Sequence, residues 1–336
     1  MAEESNNGTN HMQDLPKVLL LGPGPPFCFE SLQLLYSHKF HFLNPHLSDL
    51  SLQHFLDHHH PPSIPAILCS PKHSVTADVL RLLPSLRLVL TTSAGTNHID
   101  LRECRRRGIQ VANSGALFSE DVADMAVALL IDGLRKISAA DRWLRTQNRQ
   151  NTPWDLFPLG FKLSGKRVGI VGLGSIGMEV AKRLEPFGCI ISYNSKHRKG
   201  RVSYPFCSTV LELAATCDVL VVCCALNEET KHIINREVIL ALGKGGFIVN
   251  VGRGELIDEK ELVKCLMEGE LGGAGFDVFE NEPRIPQELF KMDNVVLSPH
   301  VGPLTESYMN ICALMVGNLE AFFLNKPLLT PLILSE

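Results

Sequence analysis

The sequence has little aromatic content, 7% of 336 residues with two tryptophans, and only a small surplus of acidic charge. Lys and Arg number 32 and Asp and Glu 36, a formal net charge of −4. A chain that binds nucleic acid needs a basic surface to neutralise phosphates, so this balance argues against such a partner. Long apolar runs are missing as well: Val219–Leu226 and Met125–Ile131 are among the longest. A membrane-spanning helix needs about 18 apolar residues in succession, so no membrane span is expected. Charged residues are 20% and apolar ones 45%, which suits a globular chain and excludes a disordered one. At about 150 residues per domain, the length suggests two domains.

Cysteine is not scarce. The ten cysteines are scattered, and Cys69, Cys189, Cys223 and Cys224 lie inside apolar, strand-like runs. A disulfide framework would suit a short secreted chain; buried thiols in a reducing compartment suit this one. Residues 1–14 are polar, carry Glu3, Glu4 and Asp14, and have neither the apolar core of a secretory signal nor the character of a transit peptide. Residues 1–16 are therefore expected to be a disordered lead-in. The last residues are not a peroxisomal Ser-Lys-Leu address, and a cytosolic location is expected by elimination.

Near-continuous apolar strands alternate with helical patterns, which predicts an α/β fold with parallel sheets covered on both faces. Strands are expected at Lys17–Leu21, Ala66–Cys69 and Arg87–Thr91. A long helix is expected over Asp121–Arg145, with Ser119 as its cap and Glu120 and Asp121 at its positive end. A polar, proline-containing connection spans Asn148–Gly160. A second series follows: a strand at Arg167–Val171, a helix at Ile176–Phe187, and strands at Cys189–Tyr193, Val219–Cys223, Phe247–Val251, Ala274–Val278 and Val295–Ser298. A helix is predicted over Asp258–Met267 and a closing helix over Thr305–Leu324. Two doubly wound, Rossmann-like lobes fit this order.

Gly172-Leu173-Gly174-Ser175-Ile176-Gly177 follows the strand Val168–Val171 and opens a helix, the context in which G-x-G-x-x-G binds a dinucleotide. The first glycine permits the tight turn, Gly174 lets the backbone approach a pyrophosphate, and Gly177 allows close helix–strand packing. An NAD site usually adds Asp or Glu about 20 residues on, for the ribose 2′-hydroxyl. Here that place holds Tyr193-Asn194-Ser195-Lys196-His197-Arg198-Lys199, and no carboxylate follows until Glu212. A carboxylate would repel a 2′-phosphate, whereas Ser195, Lys196, His197 and Arg198 could bond or neutralise one. NADPH is therefore expected over NADH; the bland alternative is a solvated basic loop.

Arg253, Glu282 and His300 stand behind predicted strands of this second lobe, where ligands of open α/β sheets bind. Singly, each has an ordinary explanation: a surface ion pair, a loop acid, one of 13 histidines. Their common position beyond one sheet sets them apart.

Three motifs carry a resemblance to the D-2-hydroxyacid dehydrogenase family: Asn250-Val251-Gly252-Arg253-Gly254, Gly275-Phe276-Asp277-Val278-Phe279-Glu280-Asn281-Glu282-Pro283 and Ser298-Pro299-His300-Val301-Gly302. The resemblance extends over Thr91–Asp100 and Ser119–Ala128, and hence over most of residues 17–330. Within the family it is most similar to plant non-peroxisomal glyoxylate/hydroxypyruvate reductases and to hydroxyphenylpyruvate reductases. It implies a substrate lobe of residues 17–116 and 300–336, a dinucleotide lobe of residues 117–299, and a cleft between them whose closure would exclude water. It further implies that Arg253, Glu282 and His300 are catalytic. Histidine titrates near neutrality and can donate a proton to the oxygen of a 2-oxo acid. A carboxylate on its other nitrogen fixes the tautomer, and arginine clamps a carboxylate.

By the same resemblance, Ser93-Ala94-Gly95 form the substrate carboxylate cradle together with Arg253 and His300. Val251 and Asp277 bond the nicotinamide carboxamide; Leu226, Thr230 and Gly302 border the cofactor. Trp154 lies in a region that would contact a second subunit of a homodimer. Pro303 and Leu304 depart from the small residues usual there, and Asp124 replaces a common Glu. His54, His58, His59 and His60 sit beside Pro61-Pro62 and are expected in an exposed loop, with no metal site. Two other readings share the motifs: another D-2-hydroxyacid dehydrogenase, or a dinucleotide-sensing binding protein like the related corepressors.

Overall fold

Runs such as Val18–Leu21, Leu88–Leu90 and Val219–Val222 have no polar face to turn toward water, and each becomes a strand buried on both sides. The computed structural model describes residues 15–22, 28–59, 63–146, 157–200 and 202–333. The expected lead-in up to residue 14, His60 and Trp154 lie outside the described residues. Among the described residues no helix is long and apolar enough to cross a membrane.

In chain order the elements are β1 (Lys17–Leu21), α1 (Cys28–Tyr36), β2 (His41–Leu43), α2 (Leu52–His59), β3 (Ala66–Cys69), α3 (Ala77–Arg81), β4 (Leu88–Thr91), α4 (Leu101–Arg106) and β5 (Gln110–Ala112). There follow α5 (Ser119–Arg135), α6 (Ile137–Thr146), β6 (Arg167–Val171), α7 (Ser175–Leu184), β7 (Ile190–Asn194), α8 (Val210–Thr216), β8 (Val219–Val222), α9 (Arg236–Leu242), β9 (Phe247–Asn250), α10 (Glu259–Met267), β10 (Gly273–Phe276) and β11 (Val295–Leu297). The last helix is α11 (Ile311–Phe323).

These elements form two units, Met1–Phe118 with Glu306–Glu336, and Ser119–Thr305. The first holds a five-stranded sheet in the order β2-β1-β3-β4-β5, and the second a six-stranded sheet in the order β11-β10-β9-β8-β6-β7. Every pairing is parallel. Each unit is therefore a doubly wound α/β fold. Each has its own core, one around Leu19, Ile67 and Val89, the other around Leu220, Ile248 and Ala274. In the second sheet the order of strand addition reverses at β6 and β8, which makes their carboxyl ends the natural ligand position.

Several boundaries differ from those read in the sequence. The second unit runs on to Thr305, so residues 300–305 belong with it and not with the first lobe. The amides of Val301 and Gly302 bond Asp277, and the Thr305 hydroxyl bonds Asp121 at 2.6 Å. The helix expected over Asp121–Arg145 is two, broken at Lys136, whose φ is 57°. Asp132 accepts from both the amide (2.7 Å) and the hydroxyl of Ser138, which starts α6 afresh. The closing helix is preceded by a 3₁₀ turn over Glu306–Asn310. His54, His58 and His59 stand on α2 and not in a loop; the Phe55 and His59 rings lie 4.3 Å apart. The strands β2 and β5, three residues each at the two edges of the first sheet, were not read from the sequence.

Candidate active site

The glycine loop is built by close approach. Gly172 has φ 98°, and a Cβ there would come within 2.5 Å of the Cys224 Cα. One at Gly177 would come within 2.2 Å of the Gly172 carbonyl oxygen. Gly174 differs: nothing lies within 4 Å of its would-be Cβ, and as N-cap of α7 it makes no side-chain capping bond. An uncapped helix N-terminus beside open space fits the pyrophosphate of a dinucleotide. Ser175 is exposed and Ile176 half-buried at that end, while the Leu173 side chain is buried, so only the main chain of Leu173 can face a ligand.

Ser195 meets this loop directly, its Oγ accepting from the Leu173 amide at 2.7 Å. That bond uses an acceptor lone pair and not the hydroxyl hydrogen. Lys196, His197 and Arg198 are exposed, and Lys196 Nζ lies 3.5 Å from Glu229. Glu212 is occupied in the capping box of α8, where it accepts from Ser208 and Thr209. After β8, Thr230 Oγ1 donates to the Ala225 carbonyl and accepts from the Asn227 amide, both at 2.8 Å. Leu226 is half-buried against the core.

Arg253 is positioned by a residue that motif reading did not single out. Asn250, buried at the end of β9, accepts from the Gly252 amide at 3.0 Å and donates to the Arg253 carbonyl at 2.9 Å. An Asn whose side chain bonds the main chain two residues on, here at Gly252, is the signal for such a turn. Val251 is buried, and its amide bonds the Val222 carbonyl. Gly254 packs its main chain on Phe279, where a Cβ would stand 1.9 Å from the carbonyl carbon. The turn carrying Arg253 thus lies against the loop that carries Glu282. Arg253 Nη1 donates to the Gly252 carbonyl at 2.7 Å. Burial lowers its guanidinium from the usual value, opposed by the charges of Glu282 and Glu255.

Glu282 and His300 are in contact. His300 Nδ1 lies 2.9 Å from Oε2 and 3.1 Å from Oε1 of Glu282. An ionised carboxylate only accepts, so Nδ1 carries the hydrogen and Nε2 faces away from the pair. Glu282 Oε1 also accepts from the Phe279 amide at 3.1 Å. Burial pushes the Glu282 carboxyl up, but the hydrogen bond and charge of His300, the Phe279 amide and Arg253 together hold it below its usual value.

His300 itself is held in an uncommon conformation, φ 56°. Such a residue persists only where its surroundings over-determine it. Asp277 supplies this: it accepts from Ser298 Oγ (2.7 Å) and the amides of Val301 (3.0 Å) and Gly302 (2.9 Å). The role given to Asp277 and Gly302 by resemblance, contact with the cofactor, is thus joined by another: both its oxygens and the Gly302 amide hold the His300 turn. Asp277→Asn replaces one acceptor by a donor facing donors. It should cost about 1–3 kcal/mol of stability and lower kcat more than it raises KM. Calorimetry and steady-state kinetics check this; a native unfolding midpoint with full kcat contradicts it.

In the first unit the Ser93-Ala94-Gly95 turn follows β4. Its three carbonyls are tied inward: that of Ser93 to the Ser114 amide (3.1 Å), that of Ala94 to Asn113 Nδ2 (2.6 Å) and that of Gly95 to Ser93 Oγ (2.7 Å). Across a trans peptide the N–H opposes the C=O, so the Ala94 and Gly95 amides point the other way, as anion donors would. Thr91 Oγ1 braces the turn, 3.1 Å from Ser93 Oγ and 3.0 Å from His98 Nε2.

Residues 127–302 match the D-isomer specific 2-hydroxyacid dehydrogenase, NAD binding domain. A glyoxylate/hydroxypyruvate reductase of Arabidopsis thaliana is 52% identical over 318 residues, covering 94% of this chain and 97% of its own. A hydroxyphenylpyruvate reductase of Plectranthus scutellarioides is 47% identical over 272 residues, covering 81% and 86%. Among solved structures, an NADPH-dependent glyoxylate/hydroxypyruvate reductase of Sinorhizobium meliloti in complex with NADP and malonate superposes with a TM-score of 0.83 at 32% identity, covering 95% of this chain and 97% of that one. With its two parallel-sheet units, its glycine loop and its paired imidazole and carboxylate, the chain belongs to the D-isomer specific 2-hydroxyacid dehydrogenase family.

Proposed function

We propose that this protein is an oxidoreductase that reduces glyoxylate to glycolate and hydroxypyruvate to D-glycerate, with NADPH preferred over NADH. The observation that carries it is the His300–Glu282 contact at 2.9 Å, beside a guanidinium on the next loop of one dinucleotide sheet. Bound at the glycine loop, a reduced nicotinamide dinucleotide supplies a hydride to C2 of the acid. Gly174 leaves room for its pyrophosphate at the N-terminus of α7, while Gly172 and Gly177 allow the close packing that shapes the loop. Ser195, Lys196, His197 and Arg198 are the groups available to a 2′-phosphate.

His300 donates the Nε2 proton to the substrate oxygen as negative charge develops there. Glu282 holds the ring by Nδ1 and fixes its tautomer and orientation. Arg253 grips the substrate carboxylate through its fork of donors and polarises the carbonyl.

A matrix of kcat/KM values tests this reading: NADPH and NADH against glyoxylate, hydroxypyruvate, pyruvate and hydroxyphenylpyruvate. NADPH should exceed NADH by about tenfold or more, since one charge-assisted hydrogen bond contributes about 1.5–3 kcal/mol. Glyoxylate and hydroxypyruvate should lead the acids. Equal use of NADH removes the cofactor preference. The second reading, reduction of hydroxyphenylpyruvate, is favoured by the 47% identical relative of that name, and a lead for the aromatic acid would select it.

A further inference from the structure

Two thiols far apart in the chain meet in the first unit. Cys28 is the first residue of α1 and Cys312 the second of α11, helices that pack on each other. Their Sγ atoms are 3.1 Å apart across 284 residues of sequence, and Cys312 Sγ also lies 3.5 Å from the Cys28 carbonyl oxygen. Cys28 is 2% exposed, while Cys312 is partly open to solvent. All ten cysteines are free, and neither of these two has any part in the reduction chemistry above.

The two sulfurs are not equivalent. The hydrogen bond to Cys312, and after it burial, raises the Cys28 thiol above its ordinary value. The same bond lowers Cys312, against the opposing effect of burial. Cys312 is the more exposed of the two, as the attacking thiol must be. Cys28 is placed behind it as the resolving thiol. A disulfide bond of about 2.05 Å needs the sulfurs to close by only about 1 Å, which side-chain rotation can supply.

We propose that Cys28 and Cys312 form a reversible oxidation site that reacts with low-molecular-weight disulfides of the glutathione class. Cys312 thiolate attacks one sulfur of glutathione disulfide. A Cys312–glutathione bond forms, the glutathione S–S bond breaks, and one glutathione thiolate leaves. Cys28 gives up its proton, its sulfur attacks Cys312 Sγ, and the second glutathione leaves. Two protein thiols become one disulfide, and one glutathione disulfide becomes two thiols, with two electrons and two protons transferred. The product staples α1 to α11.

Intact-mass and peptide-mapping measurements on the full chain test this, and their readout is independent of any reductase activity. Treated with glutathione disulfide, the protein should lose two hydrogens in mass, show a Cys28–Cys312 linked peptide, and revert with dithiothreitol. Cys28→Ser should stop at the mixed disulfide, one glutathione on Cys312. Cys312→Ser should yield neither linked peptide nor adduct at this place. Retention of both thiols in the wild type, a linkage between other cysteines, or Cys28→Ser without an adduct on Cys312 overturns the proposal.

Discussion

His300→Gln lowers kcat for 2-oxo acid reduction by about 10²–10⁴-fold, the range that a positioned proton donor contributes. This is a loss of about 3–5 kcal/mol of transition-state stabilisation at 1.36 kcal/mol per tenfold. Glutamine is of similar size and can still donate to Glu282, which holds His300 Nδ1 at 2.9 Å. It cannot deliver a proton. The turn survives because Asp277 grips Val301 and Gly302 on its far side, and because the φ of 56° is set by that grip and not by the imidazole. Dinucleotide affinity, read by fluorescence titration, therefore stays within a few-fold of wild type. Full kcat in this variant removes His300 as the proton donor.

Arg253→Gln lowers kcat/KM for glyoxylate and hydroxypyruvate by about 10²–10³-fold, comparable to removing one donor from a preorganised oxyanion site. The guanidinium is half-buried, so its charge acts with little screening, and the charges of Glu282 and Glu255 support its protonated form. Arg253→Lys restores the charge but not the planar fork, and recovers only part of the loss. Both variants keep the backbone turn, which depends on the Asn250 side chain bonding main-chain atoms of Gly252 and Arg253. Steady-state kinetics with dinucleotide binding as the control measures this. An unchanged KM and kcat for the acid in Arg253→Gln contradicts its role as the clamp.

Much of the fold was legible because parallel sheets buried on both faces write themselves as apolar runs. Val219–Val222 and Val168–Val171 needed no context to be read as strands. What escaped was set by contacts distant in sequence. The break at Lys136 depends on Asp132 capturing Ser138, and helical periodicity runs through it undisturbed. The end of the second unit at Thr305 depends on Asp277 reaching 24 and 25 residues onward to the Val301 and Gly302 amides. At the site, Arg253, Glu282 and His300 were visible as chemistry-bearing residues behind strands, but the scaffold that aims them was not. Asn250 and Ser298 were visible only as motif positions and Asp277 only as a cofactor contact; their bonds to the turns of Arg253 and His300 are tertiary contacts. Gly254 was visible as part of a motif, yet its reason, the main chain of Phe279 against it, is a tertiary contact.

The central claim is that Glu282 holds His300 as a proton donor, and the pH dependence of kcat/KM tests it most directly. Since the Glu282 carboxyl lies below its usual value, it stays ionised throughout the neutral range and loses its charge only in acid. In wild type the acid limb of 2-oxo acid reduction then reports protonation of Glu282, below the usual carboxylate range, and with it loss of the acceptor that holds His300 Nδ1. In Glu282→Gln no carboxylate titrates at this place, so that limb should vanish and kcat/KM should stay low into acid. An acid limb at the same pH in wild type and Glu282→Gln would contradict the account.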